Sequence, residues 1–265
     1  MRKGNLFWGV LIIIVGTFML INQLIPSLDM GRFILPAVLI LLGLWFLIGP
    51  TLFQRHGSVS TESLNIPLGE AHEMQLELNH GAGRLRLASG SQPGELLSAE
   101  FTGGVKRSVE RSDHGVRVNL QSAVNFFPGW PNFGRDGLNW DLKMAPRIPT
   151  HIIVQAGAND LFFDLQDLLI TRLELNTGAS SSIINLPANA GFTRVDVKSG
   201  AASVELRVPE NTAARIQVTS GLSSVKIDRE RFPLTNGAYK SPDYEAAANR
   251  IDIYIEGGVG SFDVR

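Results

Sequence analysis

The sequence contains no cysteine, few charged residues and no concentration of charge of either sign. The absence of cysteine excludes disulfides, thiolate metal ligands and thiol catalysis. Charged residues make up 18% of the 265 residues, and the formal net charge is −1. Because the basic residues form no run or stripe, nucleic-acid binding is not predicted. The five histidines have neither HxxH nor HExxH spacing, so we also predict no metal site and no cofactor.

Long apolar runs are confined to the N-terminal part of the chain. The segments 6–25 and 33–53 contain no charged residue, and each is about 20 residues long. A helix of that length crosses roughly 30 Å of hydrocarbon, so we predict a transmembrane helical hairpin at 1–53, embedded in a lipid bilayer. A cleaved signal peptide is the alternative for the first segment, but no small-residue cleavage site follows it.

The side of the membrane is predicted from a few basic residues around these spans. Arg2 and Lys3 precede the first span and Arg55 follows the second, whereas the connector holds Arg32, which is offset by Asp29. The positive-inside bias therefore predicts that both ends of the hairpin lie in the cytoplasm, together with the domain that follows.

The rest of the chain repeats a short motif that is centred on a glycine. Three consecutive copies carry Gly178, Gly200 and Gly221, at spacings of 22 and 21 residues. Apolar residues stand five and three positions before each glycine, with a polar residue between them. This period-two alternation is typical of a strand with one buried face. Three further copies fit the same register, and their glycines are Gly81, Gly157 and Gly258.

The repeat predicts an all-β fold. The apolar positions before and after each glycine differ by an odd number of residues, so the chain must bend between them, and glycine permits the bend. Each copy is then two short strands, and stacking the copies buries a continuous core. We predict a single-stranded parallel β-solenoid of about 21–22-residue rungs at 74–265. An antiparallel meander or sandwich is the alternative.

The irregular segments are predicted to connect or cover this solenoid. The polar range 54–73 is expected to be a linker, and the range 88–150 a capping β subdomain. Within the latter, Leu96–Val109 predicts a hairpin about two adjacent glycines. The range 229–249 separates the last two copies and predicts a loop on one face, after which the final copy closes the chain at Arg265.

Four aromatic residues between 125 and 137 are the candidate partner-binding residues: Phe126, Phe127, Trp130 and Phe133. Aromatic side chains that are exposed together suit a protein interface or a membrane surface. The alternative is that they fold back as a plug over the first end of the solenoid. Trp140, farther along, is expected to pack in the core.

No catalytic residue is predicted. Asp160, Asp164 and Asp167 fall within one copy, but general acid–base catalysis needs two carboxylates that converge on a cleft. Asp164 lies between two apolar residues of an alternating strand and is expected to face water. The glycines at 257–260 resemble a calcium-binding nonapeptide, yet Phe262 takes the acidic position, so calcium binding is not predicted.

Two parts of the sequence resemble known families. A resemblance to the LiaI/LiaF-like transmembrane region of bacterial envelope-stress proteins is carried by WGVLIIIVGTFMLINQL and ILPAVLILLGLWFLIG. A resemblance to toast-rack β-solenoid domains, which are named for adhesion or the cell-wall-active antibiotic response, is carried by LELNHGAGRLRL and WDLKMAPRIPTHIIVQAGANDLFFDLQDLLITRLELNTGA. The resemblance implies no catalytic residues. It implies a membrane-bound modulator of histidine-kinase signalling, although that group typically has four spans.

We therefore predict a non-enzymatic interaction module in the bacterial cell membrane, which is multi-pass and modulates envelope-stress signalling through protein contacts. Its expected partners are the bilayer, a membrane or envelope protein such as a sensor kinase, and a second copy of the chain. A structural or adhesin-like scaffold is the alternative. A carbohydrate-active β-helix enzyme has the least support, because the outward positions show no convergent acidic or aromatic cleft.

Overall fold

The computed structural model describes residues 61–113, 115–123 and 138–265. The transmembrane hairpin predicted at 1–53 lies outside these residues. In the part of the chain that the structure describes, no helix is long and apolar enough to cross a membrane. The described residues form one sheet of thirteen strands. The strands are β1 (Thr61–Pro67), β2 (Met74–Ser89), β3 (Glu95–Thr102), β4 (Val105–Arg111), β5 (Val116–Ser122), β6 (Asn139–Met144), β7 (Thr150–Asp164), β8 (Ile170–Asn185), β9 (Phe192–Arg207), β10 (Ala213–Ile227), β11 (Leu234–Thr235), β12 (Ala238–Lys240) and β13 (Arg250–Val264).

The six repeat copies are the six long strands, and neighbouring copies pair in parallel. Each strand contains 15 or 16 residues and continues through its glycine, so a copy is one bent strand and not two separate ones. In β7 the buried positions change phase at Gly157. Ile152 and Val154 are buried before it, and Leu161 and Phe163 are buried after it. We call the two halves of each long strand the first arm and the second arm.

The corner glycines of successive strands lie directly against one another. A Cβ added to Gly178 would lie 3.0 Å from the carbonyl oxygen of Gly157, and one added to Gly258 would lie 2.6 Å from that of Gly200. These glycines are not among the residues with positive φ. Glycine is therefore needed at the corner because the backbones approach closely there, and not because the bend requires a left-handed conformation.

The long strands do not stack in sequence order. Their spatial order is β2, β7, β8, β9, β13 and β10, so the final strand lies between β9 and β10. The inward positions of β13 include Ile253, Ile255 and Phe262, which are at most 3% exposed. The aligned residues of β10 are Ile216, Val218 and Val225. Val225 is 36% exposed, so the strand that lies between two others buries its apolar side chains more completely.

The prediction of a purely parallel solenoid is wrong, because the strands beyond β2 make the sheet mixed. The first arm of β2 pairs in parallel with β5, which pairs antiparallel with β4. The second arm of β2 pairs in parallel with β6, and antiparallel pairing continues through β3 to β1. Both arms of β2 are thus covered by further strands, which hides the edge that an open stack end would leave.

Two local predictions differ from this pairing. The range 54–73, expected to be a linker, contains β1, whose seven residues pair with β3. The expected hairpin over Leu96–Val109 does not form, because β3 and β4 pair with different strands. Its two adjacent glycines, Gly103 and Gly104, both have positive φ and direct the chain from one arm of the stack to the other.

The segment 229–249, which we call the insertion, packs on the end of the stack that β10 forms, which we call the outer end. Its short strands β11 and β12 pair antiparallel with each other, and β12 pairs with β10 at Arg215 and Ile216. Phe232 is fully buried, and the Arg231 guanidinium donates hydrogen bonds to the carbonyl oxygens of Val208 and Pro209, each at 2.9 Å. The insertion therefore covers the beginning of β10.

One apolar core lies between the two sets of arms. It contains Leu76 and Leu78 from the first arm of β2, and Leu85 and Leu87 from the second arm. Trp140 is 1% exposed and packs edge to face on another core ring, as expected for a core residue. Each large side chain buried in this way contributes roughly 1.5–3 kcal/mol before conformational entropy is subtracted.

Candidate functional site

The aromatic residues proposed from the sequence cannot be placed in the site. Phe126, Phe127, Trp130 and Phe133 lie outside the described residues, so the aromatic-interface hypothesis stays a prediction. The described strands on either side, β5 and β6, pair with the two different arms of β2.

The three aspartates considered for catalysis lie on or beside β7. Asp160 and Asp167 are exposed, and Asp164 is half-buried and accepts a hydrogen bond from the Asn185 amide at 3.4 Å. Within the ranges 61–113, 115–123 and 138–265, no group of three or more acidic or histidine side chains could hold a metal ion.

The most organised polar surface is formed by the outward side chains of the first arms. Because the strands are in register, the residue directly before each inward apolar pair recurs at the same height on neighbouring strands. The resulting row carries His151 on β7, Arg172 on β8 and Arg194 on β9. The next outward row carries Glu174 and Asp196, so basic and acidic groups face each other across neighbouring strands.

These side chains form a connected set of ion pairs. Glu174 Oε1 lies 3.0 Å from His151 Nε2 and 2.9 Å from Arg172 Nε. Asp196 Oδ2 lies 3.2 Å from Arg172 Nη2 and 2.9 Å from Arg194 Nε. Each carboxylate thus contacts two basic side chains. Every contact joins the two outward rows, and those of His151 with Glu174 and of Arg172 with Asp196 also cross between strands. We call this set, together with Tyr254, the charged ladder.

Tyr254 extends the charged ladder onto β13. The Arg194 guanidinium lies 4.7 Å from the centre of the Tyr254 ring, which places a cation over an aromatic face. The hydrogen bond to Asp196 raises the pKa of Arg194, so this group stays charged at any physiological pH. Exposed ion pairs add little to stability, so the ladder is better suited to presenting fixed charges than to holding the fold together.

The outward face of the second arms has a different character. One row consists of the exposed serines Ser181, Ser203, Ser261 and Ser224 on four neighbouring strands. The hydroxyl oxygens of Ser203 and Ser261 lie 2.9 Å apart. We call these four residues the serine row. The serine row is uncharged, although the next outward row of the second arms carries Glu205, whose carboxylate pairs with Arg207 and Arg265.

A second polar cluster fixes the insertion to the outer end of the stack. The Asp252 carboxylate is buried, and it accepts hydrogen bonds from the Tyr244 hydroxyl and the Arg215 guanidinium. Burial, followed by the hydrogen bond to Asp252, raises the pKa of Tyr244 to about 12. The phenol therefore remains a donor, and the cluster serves to anchor the insertion.

A polar groove of about 480 Å³ lies beside this insertion. It is open to solvent and is lined by Glu210, Asn211, Thr212, Glu230, Arg231, Ser241, Pro242 and Asp243. Arg231 is already committed to two backbone carbonyl groups. The groove therefore offers mainly acidic and neutral polar groups to a ligand.

The histidine that directly precedes the corner glycine of β2 is buried. His80 is 1% exposed, and its Nδ1 contacts the side-chain oxygen of Asn159, whose amide nitrogen donates to the His80 carbonyl oxygen at 3.1 Å. Its ring packs against Trp140 with the ring centres 4.8 Å apart. Burial lowers the pKa of His80, so the ring stays neutral and acts as a packing residue.

The charged ladder was not recognised from the sequence, although a signal for it is present. The outward residues of the first arms alternate with the apolar ones, and Arg172, Glu174, Arg194 and Asp196 occupy equivalent positions in two consecutive copies. Aligning the outward residues as well as the inward ones would have identified it. The contact of Tyr254 with the ladder would still have been missed, because it depends on the position of β13 beside β9.

A family model and one solved structure agree on the fold. A family model described as "N-terminal domain of toast_rack, DUF2154" matches residues 55–207. No curated protein matches the chain. The structure is similar to that of a putative cell adhesion protein from Clostridium sporogenes, with a TM-score of 0.69 and 20% identity over 77% of this chain and 98% of that one. A putative adhesin from Bacteroides fragilis also matches, with a TM-score of 0.28 and 10% identity over 78% of this chain and 98% of that one.

Proposed function

The chain belongs to the toast-rack family, and we propose that it acts as a non-enzymatic, membrane-anchored interaction module whose charged ladder binds a protein partner. The observation that carries the proposal is that Arg172 is held between two carboxylates, Glu174 on its own strand at 2.9 Å and Asp196 on the neighbouring strand at 3.2 Å. Because these side chains are already ordered, binding a partner of complementary charge costs less side-chain entropy than it would on a mobile surface.

The partner we propose is a membrane or envelope protein, such as a sensor kinase, and the process is bacterial envelope-stress signalling. The resemblance of the N-terminal apolar segments to the LiaI/LiaF-like region supports this choice. Two spans at 6–25 and 33–53 would anchor the chain in the bacterial cell membrane, and the basic residues beside them favour a cytoplasmic β domain. The rigid ladder would then face the cytoplasmic part of a neighbouring membrane protein.

The proposal is tested by site-specific photo-crosslinking in membranes. A photo-crosslinking residue at Gln155, an exposed position on the ladder face, is expected to capture a distinct membrane protein that mass spectrometry identifies. The same residue at Ser203, on the serine row, is the matched control and is expected not to capture it. Reversing one charge with Arg172→Glu should reduce capture from Gln155. Equal capture from both faces, or recovery of this chain alone, would contradict the proposal.

A structural or adhesin-like scaffold is the second candidate function. The structural match to a cell adhesion protein and the uncharged serine row favour it. An adhesin must face outward, whereas a regulator of a kinase domain must face the cytoplasm. A reporter fused to the C-terminus separates the two, since a signal from outside the cytoplasm would favour adhesion and contradict the proposed orientation.

A further inference from the structure

The outer end of the stack exposes an unpaired strand edge. β10 is the last long strand, and β12 pairs with it only at Arg215 and Ile216. From Gln217 to Lys226, no strand of the described ranges pairs with the side of β10 that faces away from β13. At the other end of the stack, by contrast, both arms of β2 are paired.

This edge lacks the features that usually prevent strands from pairing. The segment 217–226 contains no proline and one charged residue, Lys226. Its apolar side chains are also incompletely covered. Leu222 is 82% exposed and Val225 is 36% exposed, whereas Phe262, the neighbour of Val225 on β13, is 1% exposed. The end of the stack therefore leaves the core-facing Val225 partly exposed beside free backbone groups.

Hydrogen bonds to β13 show which backbone groups are free. The Ala213 N–H donates to the Asn249 carbonyl oxygen at 3.1 Å, and the Asp228 N–H donates to the Val264 carbonyl oxygen at 3.0 Å. In a parallel ladder, alternate residues direct both backbone groups to the same neighbour. In the first arm, the backbone groups of the odd-numbered residues therefore point to β13. In the second arm those of the even-numbered residues do, because the alternation changes phase at the corner.

The backbone N–H and C=O groups that point away from β13 consequently belong to Val218 and Ser220 in the first arm and to Ser223 and Val225 in the second. The side chains of the same four residues occupy inward positions of the stack, since Val218 aligns with Ile255 of β13 and the others follow the same alternation. Each arm thus presents free hydrogen-bonding groups and core-facing side chains at the same residues.

We propose that a second copy of the chain pairs with this edge about a two-fold axis through the corner of β10. The first arm of one copy would then run antiparallel to the second arm of the other, with Val218 opposite Val225 and Ser220 opposite Ser223. In all four residues the backbone groups point away from β13 and the side chain points to the core. This register therefore pairs the free backbone groups of the two copies and joins their cores. The β10 edge is self-complementary, which is the requirement for a two-fold interface.

The charges in this register are compatible with the pairing. Lys226 lies opposite Gln217, and Thr219 lies opposite Ser224, so no like charges face each other across the interface. Pairing ends where β12 already occupies Ile216. The inference does not depend on the charged ladder, which lies on the outward face of the first arms and leaves the strand edge free.

Disulfide trapping tests the register directly, because the chain has no cysteine of its own. Thr219 and Ser224 would form a non-hydrogen-bonded pair, with Cα atoms about 4.5 Å apart, which is within the range for a disulfide. We expect differently tagged full chains carrying Thr219→Cys and Ser224→Cys to be joined on oxidation in membranes. The matched control is Lys198→Cys with Ser203→Cys, the equivalent positions on β9 inside the stack. Absence of the first disulfide, or equal formation of the second, would overturn the proposal.

A proline substitution tests the hydrogen bonds. The Val225 N–H points away from β13, so Val225→Pro removes a donor of the interface and leaves the bonds to β13 in place. Light scattering of the detergent-solubilised full chain should show a dimer for the original sequence and for Val225→Thr, and a monomer for Val225→Pro. All three should have the same circular dichroism spectrum. A monomer for the original sequence, or a folded Val225→Pro dimer, would contradict the proposed interface.

Discussion

Alanine substitution of the corner glycines is expected to reduce stability by amounts that follow the spacing between neighbouring strands. A Cβ at Gly258 would lie 2.6 Å from the Gly200 carbonyl oxygen, whereas one at Gly221 would lie 3.1 Å from that of Gly258. The first distance is shorter than real Cβ contacts, so backbone must move, and overpacking of this kind costs about 1–3 kcal/mol. Replacing glycine by alanine also reduces the conformational entropy of the unfolded chain, which stabilises the folded state by about 0.4–1 kcal/mol and offsets part of that cost.

The net expectation is a loss of about 1–2 kcal/mol for Gly258→Ala and a change near zero for Gly221→Ala. At 3.1 Å, the contact of a Cβ at Gly221 with the Gly258 carbonyl oxygen is relieved by a backbone shift of a few tenths of an ångström. Gly178 and Gly200, with 3.0 Å to the neighbouring oxygen, should fall between them.

Urea denaturation of the full chain, followed by circular dichroism, measures the free energy of unfolding for each variant. Gly221→Ala is the matched control, because it makes the same chemical change in the same column of glycines. If Gly221→Ala destabilised the protein as much as Gly258→Ala, the close approach of stacked backbones would not be the reason for glycine at the corners.

Three further predictions concern polar groups. Tyr244→Phe removes a hydrogen-bond donor from the buried Asp252 carboxylate, and should lower the free energy of unfolding by about 1–3 kcal/mol in urea denaturation. Because burial lowers the pKa of His80, the unfolded chain binds a proton more readily than the folded one, so stability is fully present above pH 6.5 and falls as the pH drops below it. His80→Thr should reduce that acid sensitivity in thermal melts, and an unchanged pH dependence would contradict the assignment. Arg172→Ala removes exposed ion pairs and should cost less than about 1 kcal/mol in the same melts, so a larger loss would show a structural role.

Much of the fold follows from local periodicity in the sequence. Alternation of apolar residues identified the inward positions of each copy, and the change of phase at the glycine is present in the structure, with Ile152 and Val154 buried on one side and Leu161 and Phe163 on the other. Such patterns are readable because burial on one face of a strand constrains every second residue.

The order of the strands is not determined by periodicity. Six copies with nearly equivalent inward positions can pair in several orders, and the insertion before β13 is long enough to return the chain between β9 and β10. The antiparallel strands β3 and β6 were also missed as partners, because their pairing depends on contacts distant in sequence. The charged ladder depends on the same lateral order, which is why its contact with Tyr254 could not be predicted from any single copy.

The position of β13 between β9 and β10 is the central claim, since it decides which strand edge is free. Ser203 and Ser261 are direct neighbours in the register, whereas Ser224 is two strands away from Ser203. Neighbouring strands are about 4.8 Å apart, so a disulfide can join adjacent strands but cannot bridge two strand spacings. In the full chain, Ser203→Cys with Ser261→Cys should therefore form an intramolecular disulfide readily, and Ser203→Cys with Ser224→Cys should not. Efficient formation of the second disulfide instead of the first would place β10 beside β9 and contradict the account.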